Sequence, residues 1–230
     1  MNPIREMKKH MVAELGILPT RDSVERTVLN TYKTFDTLIE QWQQQPETKI
    51  SCKSGCIACC AQSVWAAEPE VLYIAAELRR HGLKEESVPR LREHREAVAC
   101  ITPQQAPRLC LFVLPSDSCM VYDMRPIACR MLYSNDARAC EANVRGLSPF
   151  VSFLPDPASW ATELRMSLFA AIAESGLRCQ TLDFHHALEI ALSDDTAEER
   201  WVKGENAFEA AVVPGQPDLA AAALAAAAAD

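Results

Sequence analysis

Apolar residues recur at three- and four-residue steps along several stretches of the chain, the spacing of one face of an α-helix. The clearest stretch is 22–45, where Asp22 or Ser23 is the expected N-terminal cap and Pro46 ends the pattern. The same spacing predicts further helices over 68–81, about 88–101, 156–176, 182–194 and 196–208. We therefore expect a mainly α fold.

One segment breaks the helical pattern. Residues 109–114 form a six-residue apolar run, the turn PSDS follows, and CMVY comes next. This order predicts one small β-hairpin with Cys110 on its first strand and Cys119 on its second. Pro126 then suits the first turn of a short helix that carries Cys129, and a polar loop leads on to Cys140.

The most unusual segment is SCKSGCIACC, in which Cys52, Cys56, Cys59 and Cys60 lie within nine residues. An isolated thiol behaves as a small hydrophobe, but several thiols on short spacings form a site for a soft metal. Adjacent residues point in different directions, so Cys59 and Cys60 are poorly placed to bind one ion together. The two cysteines therefore either bind metal at two separate sites, or one of them binds a metal and the other lines the wall of that site.

Composition and charge narrow the class of protein. The chain has 230 residues and a net charge of −8, which argues against a nucleic-acid groove. Its first twenty residues carry charges throughout and lack the apolar region of a secretory signal. No run approaches the roughly 20 apolar residues of a membrane span. We therefore expect a cytoplasmic protein, whose ten cysteines are ligands or free thiols rather than disulfides.

The domain organisation follows from these segments. We expect an N-terminal helical segment over 1–49 and a cysteine-cluster metal-binding domain over 50–145. A C-terminal helical region over 146–214 would pack on that domain. An alanine-rich tail covers 215–230, and both a frayed helix and disorder remain open for it.

The cysteine order is C-x3-C-x2-C-C followed by C-x8-C-x9-C-x10-C. Together with Tyr122, Arg125-Pro126 and Cys129-Arg130, this order resembles the zinc- or iron-chelating family named for its CxxCxxCC cluster, the YkgJ-type cysteine cluster proteins. The resemblance covers about residues 50–142. The chain departs from the family pattern at two points. Three residues instead of two separate Cys52 from Cys56, and Ile57 stands where the family has a glycine.

The resemblance implies metal chelation through eight cysteines, and it implies no particular reaction. The metal-binding core would join the cysteine loop, the hairpin and the Arg-Pro helix. The implied ligands are Cys52, Cys56, Cys59, Cys60, Cys110, Cys119, Cys129 and Cys140.

The residues themselves leave the metal open between an iron–sulfur cluster, which we favour slightly, and Zn²⁺. No histidine lies at zinc-finger spacing from these cysteines, so mixed Cys–His ligation is disfavoured. Four thiolates make an anionic site, and Arg125 and Arg130 are the predicted cofactor-binding residues that donate hydrogen bonds to sulfur. The alternative for these arginines is a surface ion pair with Asp123 or Asp136.

Two cysteines fall outside the pattern. Cys100 ends a predicted amphipathic helix and is expected to be buried, whereas Cys179 follows a helix stop and is expected to be an exposed thiol. The neighbouring pair His185-His186 is expected to be one buried and one exposed helix residue rather than a site.

Three functions remain open from the sequence. The metal is purely structural, or it is a redox or catalytic iron–sulfur centre, or the acidic region 156–230 is a module that binds a protein partner. No phosphate-binding glycine loop and no HExxH or GxSxG motif is present, so the sequence does not decide whether the chain is an enzyme.

Overall fold

The structure is a computed structural model that describes residues 3–16, 19–99, 108–148, 151 and 153–216. Within these ranges the chain is mainly helical, which confirms the predicted class. The α-helices are α1 (Pro3–Leu15), α2 (Arg21–Gln43), α3 (Glu68–Arg80), α4 (Lys84–Ala99), α5 (Ile127–Arg130), α6 (Ala137–Val144), α7 (Pro155–Glu174), α8 (Phe184–Ser193) and α9 (Ala197–Val202).

Helix α2 follows the predicted apolar periodicity but begins slightly earlier than expected. Its cap is Thr20, whose hydroxyl accepts a hydrogen bond from the Ser23 amide at 3.2 Å. The Ser23 hydroxyl in turn accepts from the Thr20 amide at 2.9 Å. This reciprocal pair satisfies two amide groups that would otherwise lack partners at the helix start. Ser23 is therefore the third helical residue rather than the cap, and Asp22 lies in the first turn.

One hydrophobic core joins the helices. Helix α7 contacts α1 and α2, while α8 contacts α3 and α4. Helix α1 lies in the expected N-terminal helical segment and contributes Met11 and Leu15, both almost fully buried. The core extends from these residues to Ala211 near the end of the described part. Burial of one helix face against the next supplies the main stabilisation of such a fold.

The regular antiparallel pairing differs from the predicted hairpin. Strand β1 (Trp65–Ala66) pairs with β2 (Leu182–Asp183), and the two are far apart in sequence. At the predicted position, segment 109–122 forms only a minimal hairpin, with one antiparallel bridge between Val113 and Cys119. The Met120 amide also donates across it to the Phe112 carbonyl at 2.8 Å. The Val113 amide donates to the Cys110 carbonyl at 3.1 Å, so the first arm curls into a turn instead of extending as a strand.

The buried carboxyl group of Glu70 fixes α5 relative to α2 and α3. One of its oxygens accepts hydrogen bonds from the Ile127 amide at 2.8 Å and the Tyr32 hydroxyl at 3.2 Å. The other accepts from the Ala67 amide at 3.1 Å. Because Ile127 begins α5, these bonds determine where Cys129 lies.

Three further expectations concern a membrane span, the C-terminal tail and the two cysteines outside the pattern. No helix in the described ranges is long and apolar enough to cross a membrane. Cys100 and residues 217–230 lie outside the described residues. Cys179 is 2% exposed, so the expectation of an exposed thiol there is wrong: the segment after α7 folds inward to reach β2.

Candidate metal centre

Backbone hydrogen bonds join the segments that carry the cysteines of the pattern. The Ser51 amide donates to the Ser134 carbonyl at 2.8 Å, and the Cys110 amide donates to the Cys60 carbonyl at 2.8 Å. Cys140 lies on α6, where the sequence predicts no helix. Asp136 caps this helix by accepting from the Ala139 amide at 3.0 Å. The cysteine loop therefore lies between α6 and the minimal hairpin that begins at Cys110.

Four thiols lie around a small cavity of about 20 Å³. We call this set the loop thiol group; its members are Cys52, Cys56, Cys59 and Cys140. A cavity of this size holds about one water molecule, which is comparable to a single metal ion. Leu132 and Phe153 contribute apolar walls. Burial raises the pKa of Cys52, and Cys56, Cys59 and Cys140 raise it further.

The remaining four cysteines of the pattern form a second set next to the first. We call it the hairpin thiol group; its members are Cys60, Cys110, Cys119 and Cys129. Burial raises the pKa of Cys110 to about 11, and the nearby Cys119 and Cys59 thiols contribute. Burial also raises the pKa of Cys129 well above its ordinary range, with further contributions from Cys110, Cys59 and Cys119. These mutual effects place the thiols within electrostatic reach of one another.

The vicinal pair lies where the two groups meet. A hydrogen bond from the Cys60 thiol lowers the pKa of Cys59 to about 7, with a smaller contribution from Arg125. The same hydrogen bond, together with burial, raises the pKa of Cys60. Cys59 is therefore the favoured thiolate of the pair. Both residues belong to one 3₁₀ turn, Ala58–Ala61, whose tight geometry directs the two side chains differently.

The thiols are close together but do not converge on a single point. Among the described residues, no group of three or more Cys, His, Asp or Glu side chains is arranged as the ligands of a metal ion. Hydrogen bonds occupy sulfur atoms instead: the Cys52 thiol donates to the Ser134 carbonyl at 3.8 Å, and the Ser134 amide donates to the Cys52 sulfur at 3.4 Å. Metal binding would require several of these side chains to rotate.

Arg125 is a cation that acts on thiols of both groups. It lowers the pKa of Cys59, Cys119 and Cys129, in each case as a smaller effect than burial or hydrogen bonding. Its guanidinium stacks on the exposed ring of Tyr122 at 3.7 Å from the ring centre. Its buried Nε has no hydrogen-bond partner. A buried donor without a partner beside a set of thiols fits an anionic sulfur ligand, so this residue is compatible with the predicted role.

Arg130 differs from its prediction. Its guanidinium donates to both carboxylate oxygens of Asp36, at 2.8 and 2.6 Å, and to the carbonyls of Arg125 and Asp123. It also lies over the ring of Tyr32, at 4.2 Å from the ring centre. These contacts face α2 and the adjacent backbone rather than sulfur. The fork geometry of the guanidinium explains the difference, because a carboxylate and two carbonyls engage all three of its nitrogens.

A histidine contacts the hairpin thiol group, and the sequence does not predict this contact. The Cys110 sulfur lies 3.2 Å from Nε2 of His185. His185 is 9% exposed, so it is the buried member of the pair His185-His186. Its ring packs on that of His94 at a centroid distance of 4.6 Å. Burial lowers the pKa of His185 to about 3, and His94 lowers it further. The contact joins positions 75 residues apart, so spacing could not indicate it.

No protein-family model, curated protein or solved structure matches the chain. The resemblance to the CxxCxxCC family consequently stays a prediction based on the motif residues.

Proposed function

We propose that this chain is a cysteine-cluster protein that binds a soft metal through its eight patterned cysteines, as an iron–sulfur cluster or as zinc. The observation that carries the proposal is the gathering of these cysteines, spread over residues 52–140, into two adjoining groups of four. A single cysteine is an ordinary residue of a hydrophobic core, but packing alone does not explain eight neighbouring cysteines.

The donor set fits this chemistry. Four thiols in each group match the Cys₄ ligation of structural zinc and of iron–sulfur clusters. The loop thiol group would hold one centre and the hairpin thiol group the other, with Cys59 and Cys60 dividing between them. Arg125 would offset negative charge at the sulfur atoms. A bound cluster would supply one-electron redox chemistry, whereas zinc would cross-link the segments without redox change.

Metal and sulfide quantification tests the proposal. Protein purified with and without oxygen is analysed for iron, zinc and acid-labile sulfide by elemental and colorimetric assays. An iron–sulfur centre predicts a brown anaerobic protein with about equal iron and sulfide, and zinc predicts a colourless protein under both conditions. Absence of both metals from both preparations would contradict the proposal.

Cysteine variants test the two-group arrangement. Cys56→Ser should remove the metal of the loop thiol group and Cys119→Ser that of the hairpin thiol group, each leaving the other content unchanged. Cys179→Ala is the matched control, because this buried cysteine lies outside both groups. Full metal content in both serine variants, or an equal loss in the control, would contradict the assignment.

Metal removal should loosen one part of the molecule. Apo protein is expected to lose amide-exchange protection over 51–60 and 110–140, because metal binding and local folding share one free energy. Helices α2 and α3 should retain protection, since they belong to the hydrophobic core. Unchanged circular dichroism and exchange after complete metal removal would rule out a structural role.

A further inference from the structure

A second and much larger cavity lies against the hairpin thiol group. Its volume is about 640 Å³, within the range of about 300–1,000 Å³ that is usual for small-molecule sites. Cys60 and Cys110 contribute to its lining, as do residues of α4, of α8 and of the segment around the 3₁₀ turn Glu209–Ala211. The loop thiol group, by contrast, surrounds a cavity with room for about one water molecule. The cavity beside the hairpin thiol group is therefore large enough for an organic ligand, and the cavity within the loop thiol group is not.

The lining of this large cavity has both apolar and polar parts. Trp65, Val98 and Val213 provide apolar surface, and Trp65 is 38% exposed there despite its size. His94 and His185 contribute imidazole groups next to Cys110. An apolar wall with a few polar groups is the usual composition of a site that orients a small organic molecule.

The charged groups of the lining favour an anion. Asp183 is engaged in capping α8, where it accepts from the His186 amide at 2.9 Å. Arg95 is held by Glu189 at 2.8 Å. Arg108 has a weaker partner, since it lies 3.7 Å from the largely exposed Glu93. Arg108 is thus the cation best able to exchange its partner for a ligand, in a chain whose net charge is −8.

We infer that the large cavity binds a small organic carboxylate with an apolar body, whose carboxylate pairs with Arg108 and whose body lies between Trp65 and Val98. The bound molecule would lie beside Cys60 and Cys110. Its position next to a metal centre rests on the proposed function, whereas its binding to the cavity does not. A guanidinium recognises a carboxylate through two parallel hydrogen bonds, which gives both affinity and orientation.

Isothermal titration of the full chain with naphthalene-2-carboxylate tests this inference. Naphthalene-2-carboxamide is the matched neutral probe, and inorganic phosphate is the probe for anion binding without an apolar body. We expect the carboxylate to bind at least about tenfold more tightly than either of the others, which corresponds to roughly 1.4 kcal/mol. Equal affinity of the amide or of phosphate, or no binding of the carboxylate, would overturn the inference.

Three variants locate the site. Arg108→Gln should weaken carboxylate binding by about tenfold or more, because it removes a charge-assisted hydrogen bond. Arg145→Gln is the matched control and should have no effect, since Arg145 is exposed on the surface and does not line the cavity. Val98→Trp fills part of the cavity from an exposed position and should also weaken binding. Equal loss in the Arg145 control, or no loss in both cavity variants, would contradict the site.

The same titrations on metal-loaded and chelator-treated protein separate this inference from the proposed function. Carboxylate binding to a protein that never contains metal would support the cavity and refute the metal centre. A metal-containing protein that does not bind the carboxylate in either form would refute the cavity alone.

Discussion

The buried carboxyl group of Glu68 should make the protein less stable as the pH rises. Glu68 is 1% exposed at the start of α3, and its carboxyl group accepts a hydrogen bond from the Gln180 amide at 2.8 Å. Burial raises its pKa from 4.5 to about 8, while the hydrogen bond from Gln180 opposes this effect. The folded chain therefore holds a proton that the unfolded chain releases.

The sign and size of the effect follow from this difference in pKa. Below about pH 4.5 both states are protonated and the group contributes no pH dependence. Between about pH 4.5 and 8 only the unfolded state ionises, so the free energy of unfolding falls as the pH rises. Above that window the loss is complete. At about 1.4 kcal/mol for each pKa unit, the loss is on the order of 5 kcal/mol.

Glu68→Gln removes the titration while its amide oxygen can still accept from Gln180. Urea unfolding followed by circular dichroism should give similar stabilities for the variant and the parent protein near about pH 5, and a more stable variant, by several kcal/mol, near about pH 9. Glu40→Gln, at an exposed position of α2, is the control and should leave the pH dependence unchanged. The same pH slope in the Glu68 variant and the parent would refute the reasoning.

Five further variants, at four residues, are tested by the same urea unfolding at neutral pH. Glu70→Ala removes three hydrogen bonds and should lower the free energy of unfolding by about 2–5 kcal/mol. Tyr32→Phe removes one of these bonds and should lower it by about 1 kcal/mol. A larger loss for Tyr32→Phe than for Glu70→Ala would contradict the role of Glu70. Arg130→Met should cost about 2–4 kcal/mol, and Arg130→Lys should not restore stability, since one ammonium cannot reach the carboxylate and both carbonyls. Full rescue by lysine would count against the fork geometry. Trp201→Ala should lower the free energy of unfolding by about 3–5 kcal/mol, because the Trp201 side chain is 1% exposed and its indole N–H donates to a carbonyl. A loss below about 1 kcal/mol would show that the surrounding residues close the space that the side chain leaves.

The helices were largely predictable because their apolar periodicity is local. Stretch 22–45 became α2, and 68–81 became α3 with nearly the same ends. The bounds of α1 within the N-terminal helical segment, and the helix α6, are not predicted by the sequence. The α1 sequence has several charged residues that interrupt its apolar pattern, and α6 is an eight-residue helix after a polar segment that resembles a loop. The predicted hairpin is reduced to one bridge between Val113 and Cys119 for a related reason, since its apolar run matches a strand while its backbone turns at Cys110.

The residues that carry candidate chemistry can be identified from the amino-acid sequence alone, because cysteines on short spacings are recognisable without a fold. The sequence also indicated that the vicinal pair Cys59-Cys60 faces two directions. Three features required the folded chain: which thiols are neighbours, the pairing of Arg130 with Asp36 rather than with sulfur, and the contact of His185 with Cys110. Those contacts join residues 75 to 94 positions apart. They depend on how helices pack and on which buried polar groups find partners, neither of which leaves a periodic signal in the chain.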